Sequence, residues 1–322
     1  MLGCRESAAG VHEEKGYGSP VNLEGLHHVT CITGDAAQNV DFYTGTLGLR
    51  LVKKTVNQDD PTVYHLFYGD DKGSPGLDLT FFEYPGARAG RAGRGMIHRI
   101  VLRVSSEQTL DFWEQRLGTG RRAQGSLEFS DPEGLGLELR VVKTPDAPLT
   151  ALHREIPAEH AIQGFEEVRA YTSSPDASRA LLEGALGFAR AGDMSWEARS
   201  DSRGGRYVYD PAPAERGVPG AGTVHHVAWA SLDDEQVAWR DRIIEAGANP
   251  TPVIDRYWFK SVYFREPSGV LFEIATMGPG FAVDEDPAHL GERLVLPPKF
   301  EGLRDQLEAT LTPVHAPTAA RR

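Results

Sequence analysis

Four segments of this chain follow one plan, and that repetition limits the fold more than any other feature. They are LHHVTCITGDAAQNVDFYTGTLGL from Leu26, IHRIVLRVSSEQTLDFWEQRLG from Ile97, FEEVRAYTSSPDASRALLEGALGF from Phe165 and VHHVAWASLDDEQVAWRDRIIEAGA from Val224. Each reads as a short apolar strand, a polar turn and a helix. Ser or Asp stands where a helix N-cap belongs, and Gly48, Gly118, Gly187 and Gly247 stand just past the helix, where a C-cap glycine belongs. Strand-like alternation follows each helix, and the turns SDPEGLGLELR (130–140) and REPSGVLFEIA (265–275) are closely similar. The unit is therefore βαβββ. A sheet of four strands cannot hide both faces alone, so an α+β fold of four such modules paired into two open barrels is expected.

The boundaries follow from composition. Residues 1–20 read as a disordered tail, 21–145 as an N-terminal domain of two modules and 146–163 as a proline-containing linker. Residues 164–280 read as a C-terminal domain of two modules, and 281–322 as an extension whose LPPKFEGLRDQLEATL carries a short helix. With 46 acidic against 34 basic residues the net charge is −12, which excludes a nucleic-acid surface as the main business. No apolar run approaches the roughly 20 residues needed to cross a bilayer, so no membrane partner is expected. Cys4 and Cys31 give no disulfide framework, and the N-terminus lacks a signal-peptide pattern, so a cytoplasmic location is expected. A homo-oligomer is compatible with this composition.

The first and fourth modules both open on a His-His pair. Neighbouring strand residues face opposite sides of a sheet. Val29, Ile100, Val168 and Val227 share one register, followed two residues on by Cys31, Leu102, Ala170 and Trp229. That apolar set marks the helix-packed face, and period two places His27 and His225 at its start. His28, Thr30 and His226 then face the other way. In PSGVLFEIA, Val270, Phe272 and Ile274 take the apolar face, leaving Glu273 on the cleft side; Tyr263 points there too. A lone strand histidine is usually a satisfied, partly buried residue. The same pair in equivalent registers, with a parity-matched Glu, favours a metal site of His28, His226 and Glu273. Two His and one carboxylate with open positions suit Fe(II) that binds O2 and substrate; Mn(II) accepts similar ligands.

These strings are similar to a known family. The four-module plan resembles the vicinal oxygen chelate superfamily. Within it, DFYTGTLGLRLVKKTVNQDDPTVYHLFYGDDKGSPGLDLTFFEYPG (41–86) and LVLPPKFEGLRDQLEATL resemble the para-hydroquinone ring-cleaving dioxygenases, over about residues 23–311. The resemblance implies opening of a small aromatic 1,4-diol by O2 with Fe(II). It implies His28, His226 and Glu273 as ligands, and supporting catalytic roles for His27, Thr30, His225, Arg256 and Tyr263. His27 and His225, the titratable neighbours of the ligands, are the candidate proton acceptors. Tyr263 and Arg256 are candidate donors to a phenolate. In RYWFKSVYFREPSGVLFE, Arg256 stands where catechol-cleaving relatives have His, which points away from catechols.

The other modules lack the ligand set. Arg99 occupies the histidine register of the second, although its Glu138 matches Glu273, and Glu167 occupies that register in the third. The first and fourth modules are therefore expected to share one barrel. His65, His98, His153, His160, His289 and His315 show no partner pattern and read as ordinary residues. Two other readings use the same scaffold. A glyoxalase-type metal-dependent lyase or isomerase usually wants a fourth protein ligand, for which the first module offers Thr80, with Glu83 out of register. A metal-free module that sequesters an aromatic compound would need no ligands at all.

Overall fold

In the computed structural model, which describes residues 21–314, a capping side chain starts the helix of the first two modules, whereas in the third and fourth the N-cap positions are Pro175 and Glu235 and carry no side-chain cap, contrary to the expectation of Ser or Asp in each. After β1 (Leu26–Thr33), the Asp35 carboxylate accepts from the Gln38 amide and caps α1 (Ala36–Val40), which widens into a π-helical turn over Asp41–Thr46. Ser106 does the same for α2 (Glu107–Leu117) after β5 (Ile97–Val104). The glycines placed past each helix all adopt positive φ, from 64° at Gly118 to 83° at Gly247. Any other residue would be strained there. The expected tail over 1–20, with Cys4, and His315 lie outside the described residues.

Three strands follow each helix. In the first module these are β2 (Arg50–Val56), β3 (Tyr64–Gly69) and β4 (Asp78–Glu83), and in the second β6 (Arg121–Ala123), β7 (Ser126–Ser130) and β8 (Gly136–Val141). The third module runs through β9 (Phe165–Thr172), α3 (Asp176–Arg179), β10 (Ala189–Gly192), β11 (Ser195–Arg199) and β12 (Gly204–Pro211). The fourth runs through β13 (Thr223–Ser231), α4 (Gln236–Glu245), β14 (Ile254–Asp255), β15 (Lys260–Arg265) and β16 (Leu271–Thr276).

Two eight-stranded mixed sheets result, ordered β14-β15-β16-β13-β1-β4-β3-β2 and β10-β11-β12-β9-β5-β8-β7-β6. The expected α+β fold of four βαβββ modules is observed; each sheet takes one module from each half of the chain, and the first and fourth modules share a sheet through the antiparallel β1–β13 pair. Val29, Ile100, Val168 and Val227 all lie in the buried apolar core with the fully buried Trp113 and Trp239 of α2 and α4. Burying each such side chain is worth about 1.5–3 kcal/mol. Beyond β16 the chain returns along β2, where the Val295 amide donates to the Lys54 carbonyl and so pairs what would be an open sheet edge. The fully buried Lys53 ammonium anchors this return on Asp284 at 2.8 Å and on Glu285. A short helix, α5 (Arg304–Thr310), ends the extension. Among the described residues no helix is long and apolar enough to cross a membrane.

Candidate metal centre

The β1–β13 seam carries an irregularity that period-two reasoning does not anticipate. Leu26 lies opposite Trp229 and His28 opposite the adjacent Ala228, so β1 bulges at His27; Thr30 lies opposite His226 and Cys31 opposite Val224, so β13 bulges at His225. A bulge inserts one extra residue and resets the facing of the strand. Leu26 and Val29 therefore both reach the core, as do Val224 and Val227. His27 and His225, expected on the helix-packed face, instead turn to the cleft side with their neighbours. The ring of His27 lies 5.4 Å from Phe259, and that of His225 lies 5.4 Å from Phe82, both of which line the cleft.

Each histidine pair is internally hydrogen-bonded. His28 Nδ1 is 2.9 Å from His27 Nδ1, and His226 Nδ1 is 2.8 Å from His225 Nδ1. His27 Nε2 reaches the Thr276 carbonyl at 3.1 Å. A carbonyl only accepts, so His27 carries its proton on Nε2 and accepts at Nδ1. His28 must then donate from Nδ1, which leaves a lone pair on its Nε2.

That lone pair converges on a carboxylate. His28 Nε2 and His226 Nε2 lie 3.1 and 2.9 Å from Glu273 Oε2 and 3.3 Å from each other. Ser261 Oγ donates to the other oxygen, Oε1, at 2.5 Å, while Oε2 is enclosed and faces only the two Nε2 atoms. Burial alone would raise the Glu273 pKa, so an ionised Glu273 needs positive charge on the side of His28 and His226, the direction in which its pKa is held well below the usual carboxylate range. Burial lowers His226, keeping its ring neutral. A buried anion facing imidazole lone pairs needs a cation between them. Among the described residues, His28, His226 and Glu273 form the group whose ligand atoms could hold one.

The centre opens on a cavity of about 450 Å3, a size suited to a small organic ligand. Arg256 and Tyr263 line it as expected. Asp59 takes the two terminal nitrogens of Arg256, each at 2.9 Å, so the free face of that guanidinium is its Nε, which donates to Tyr263 Oη at 3.3 Å. Burial and the charge of Glu273 push the Tyr263 pKa upward, keeping it a phenol. Thr30 lies beneath the wall and accepts from Thr80 Oγ1 at 2.7 Å. His65, read from sequence as an ordinary residue, lines the cavity and contacts Thr80 Oγ1 at 3.0 Å. Strand parity could have found it, since His65 and Phe67 alternate with the buried Tyr64, Leu66 and Tyr68.

The positions weighed for further ligands are engaged elsewhere. Thr80 serves Thr30 and His65, and Glu83 Oε1 accepts from the Ala36 amide and Thr312 Oγ1. In the second sheet, Glu138 is ion-paired to Arg99 and Arg140.

Comparison with known proteins places the chain in a family. The family model of the "Glyoxalase/Bleomycin resistance protein/Dioxygenase superfamily" matches residues 25–139 and 96–274. MhqO of Bacillus subtilis, named as a candidate ring-cleaving dioxygenase, is 42% identical over 301 residues, covering 90% of this chain and 96% of that protein. The chlorohydroquinone/hydroquinone 1,2-dioxygenase of Sphingobium indicum is 32% identical, covering 91% of this chain and 97% of that one. A crystal structure from B. subtilis, titled as a candidate dioxygenase, superposes with a TM-score of 0.85 at 40% identity, covering 92% and 99% of the two chains. The chain thus belongs to the glyoxalase/bleomycin resistance protein/dioxygenase superfamily, and groups there with relatives named for the cleavage of aromatic rings.

Proposed function

We propose that this protein is an Fe(II)-dependent dioxygenase that opens the ring of a small 1,4-dihydroxybenzene with O2. The observation that carries the reading is the enclosed Glu273 Oε2, with His28 and His226 Nε2 at 3.1 and 2.9 Å. Two neutral imidazoles and one carboxylate leave coordination positions open and suit Fe(II). When bound, Fe(II) would supply the electron path between ring and O2 and a net charge near +1 that favours an ionised phenol.

The protein's own groups complete the arrangement. Tyr263 Oη accepts from Arg256 Nε and keeps its own O–H, which on the cavity wall would serve as a donor to a phenolate. With His226 Nε2 reserved as a ligand, His226 donates from Nδ1, and His225 must accept at Nδ1 and carry its proton on Nε2. Each supporting histidine thus orients a ligand ring. That tautomer replaces the proton-acceptor role expected of His27 and His225: His225 offers the substrate a donor, and His27 is spent on Thr276. A lyase-type site gains no support, since Thr80 and Glu83 supply no fourth ligand. A metal-free binding role leaves the Glu273 oxygen unexplained.

The test is to load the protein anaerobically with Fe(II), then follow O2 uptake and ring-opened product by absorbance with hydroquinone, methylhydroquinone, chlorohydroquinone and catechol. Consumption of O2 with the 1,4-diols and little with catechol is expected. Catechol opened as fast as hydroquinone, or no O2 uptake by iron-loaded protein, would refute the reading.

A further inference from the structure

The cavity wall carries a histidine that the proposed mechanism leaves idle. His65 sits on β3 between the rings of Phe67 and Phe82, at centroid distances of 3.9 and 4.4 Å, and lines the same cavity as His28 and His226. Its tautomer follows from the two threonines behind it. Thr80 Oγ1 donates its single proton to Thr30 Oγ1 at 2.7 Å, so at 3.0 Å it can only accept from His65 Nε2. Neutral His65 therefore carries a lone pair on Nδ1. Among the described residues that nitrogen meets no protein donor, and it is not one of the enclosed unpaired atoms, so it opens to the cavity.

We propose that His65 Nδ1 is the acceptor that reads the second, un-ionised hydroxyl of the substrate, making His65 a specificity-determining residue for diols over mono-hydroxylated aromatics. The proposal rests on the functional reading above. Of the other polar groups on the wall, Tyr263 Oη–H and His225 Nε2–H are donors and suit an ionised oxygen, the acceptor oxygens of Asn57, Asp59 and Thr251 are taken up by the Asp59 amide, Arg256 and the Tyr263 amide, and Gln58, tied to the Arg256 carbonyl through its Nε2, sits on the Arg256 side. An ionised oxygen has no proton to offer His65; the remaining hydroxyl of a 1,4-diol does. Burial holds His65 well below the usual imidazole range, so it accepts a hydrogen bond without taking the proton. Thr30 and Thr80 thereby act as positioning residues, fixing which nitrogen faces the ligand.

The experiment compares hydroquinone with 4-methoxyphenol, which has the same ring and one hydroxyl but no second donor. Binding to Fe(II)-loaded protein is titrated calorimetrically without O2, for wild type, His65→Phe and His65→Asn. Asn keeps a polar group near the Nδ1 position; Phe keeps only the ring. Wild type should bind hydroquinone roughly tenfold more tightly than 4-methoxyphenol, the usual worth of one net hydrogen bond. His65→Phe should bind the two alike, and His65→Asn should recover part of the preference. Iron content should be equal in all three, because His65 is not a ligand. Equal binding of the two phenols by wild type, a comparison needing no variant, overturns the proposal, as does full discrimination by His65→Phe. Ring opening is then measured by admitting air to the same samples. If wild type binds with the stated preference yet opens no diol, the functional reading fails while the recognition role of His65 stands.

Discussion

Replacing His27 by phenylalanine tests the hydrogen-bonded chain that stands behind the metal centre. His27 takes no part in the ligand set, yet its Nε2 donates to the Thr276 carbonyl at 3.1 Å and its Nδ1 meets His28 Nδ1 at 2.9 Å. His27→Phe keeps an aromatic ring near Phe259 and removes both bonds at once. Partners behind a metal-bound imidazole tune affinity by about 10–100-fold, or about 1.4–2.7 kcal/mol. The Thr276 carbonyl also loses a buried donor, at about 1–3 kcal/mol of stability.

The two effects are read separately. Competition with a coloured chelator should raise the Fe(II) dissociation constant about 10–100-fold, and thermal melts of metal-free protein report the second loss. His28→Ala, which deletes a proposed ligand, should lose iron altogether. His27→Asn returns an acceptor near the Nδ1 position and should recover much of the affinity. The matching change on the other strand, His225→Phe, should cost less stability, because among the described residues no backbone carbonyl is hydrogen-bonded to that ring. Unchanged iron affinity in His27→Phe would refute the reasoning, since the chain would then contribute nothing to the tautomer or aim of His28.

Four further outcomes are expected. Ser261→Ala frees Glu273 Oε1 from its 2.5 Å partner and should weaken metal binding about tenfold in the same competition assay. Asp59→Asn breaks the clasp on Arg256; the Asp59 side chain is 71% exposed, so kcat/KM should fall by no more than about fivefold. Elemental analysis should find one tightly held metal per chain, and a second equivalent resisting dialysis would contradict the arginine-filled second sheet. Asp146 is raised by burial but more than offset by Arg199 and Arg103, which hold it below its ordinary range. Its contribution is complete above the unfolded pKa of about 3.9 and is lost as pH falls through the lower folded value. Asp146→Asn should therefore cost about 3 kcal/mol near pH 7 in urea melts, with the gap to wild type closing only below about pH 4.

Much of the fold was legible because a sheet packed on helices repeats its apolar residues at period two. Val29, Ile100, Val168 and Val227 mark the helix side of four strands, and all four are fully buried. The same period put His28, His226, Glu273 and Tyr263 on the opposite side, and the structure brings the first three within ligand distance of a common point. Period two failed at His27 and His225 because each bulge adds a residue the count does not see. A trace was present: Leu26 and Val29, like Val224 and Val227, are apolar residues at an odd spacing. His65 stood in plain alternation with Phe67. Asp59 had no local signature, since its partner Arg256 lies 197 residues away and the two meet only when the modules dock.

The contrast between the two sheets explains why a single centre calls for a metal. In the second sheet, Glu138 and Glu167 are both 3% exposed, and Arg140 bridges them at 2.7 and 2.8 Å. Arg99 reaches Glu138 at 3.3 Å and Arg169 reaches Glu167 at 2.7 Å, so guanidinium groups of the chain itself balance both anions. A guanidinium keeps its protons and has no lone pair to offer, and its charge repels a second cation. The first sheet has the opposite provision. Glu273 is buried among imidazoles whose Nε2 atoms are free to act as ligands, and the nearby guanidinium of Arg256 is held by Asp59 and Tyr263. With that charge engaged elsewhere, a cation from solution would balance Glu273, and the two lone pairs beside it suit the metal ion that the proposed function requires.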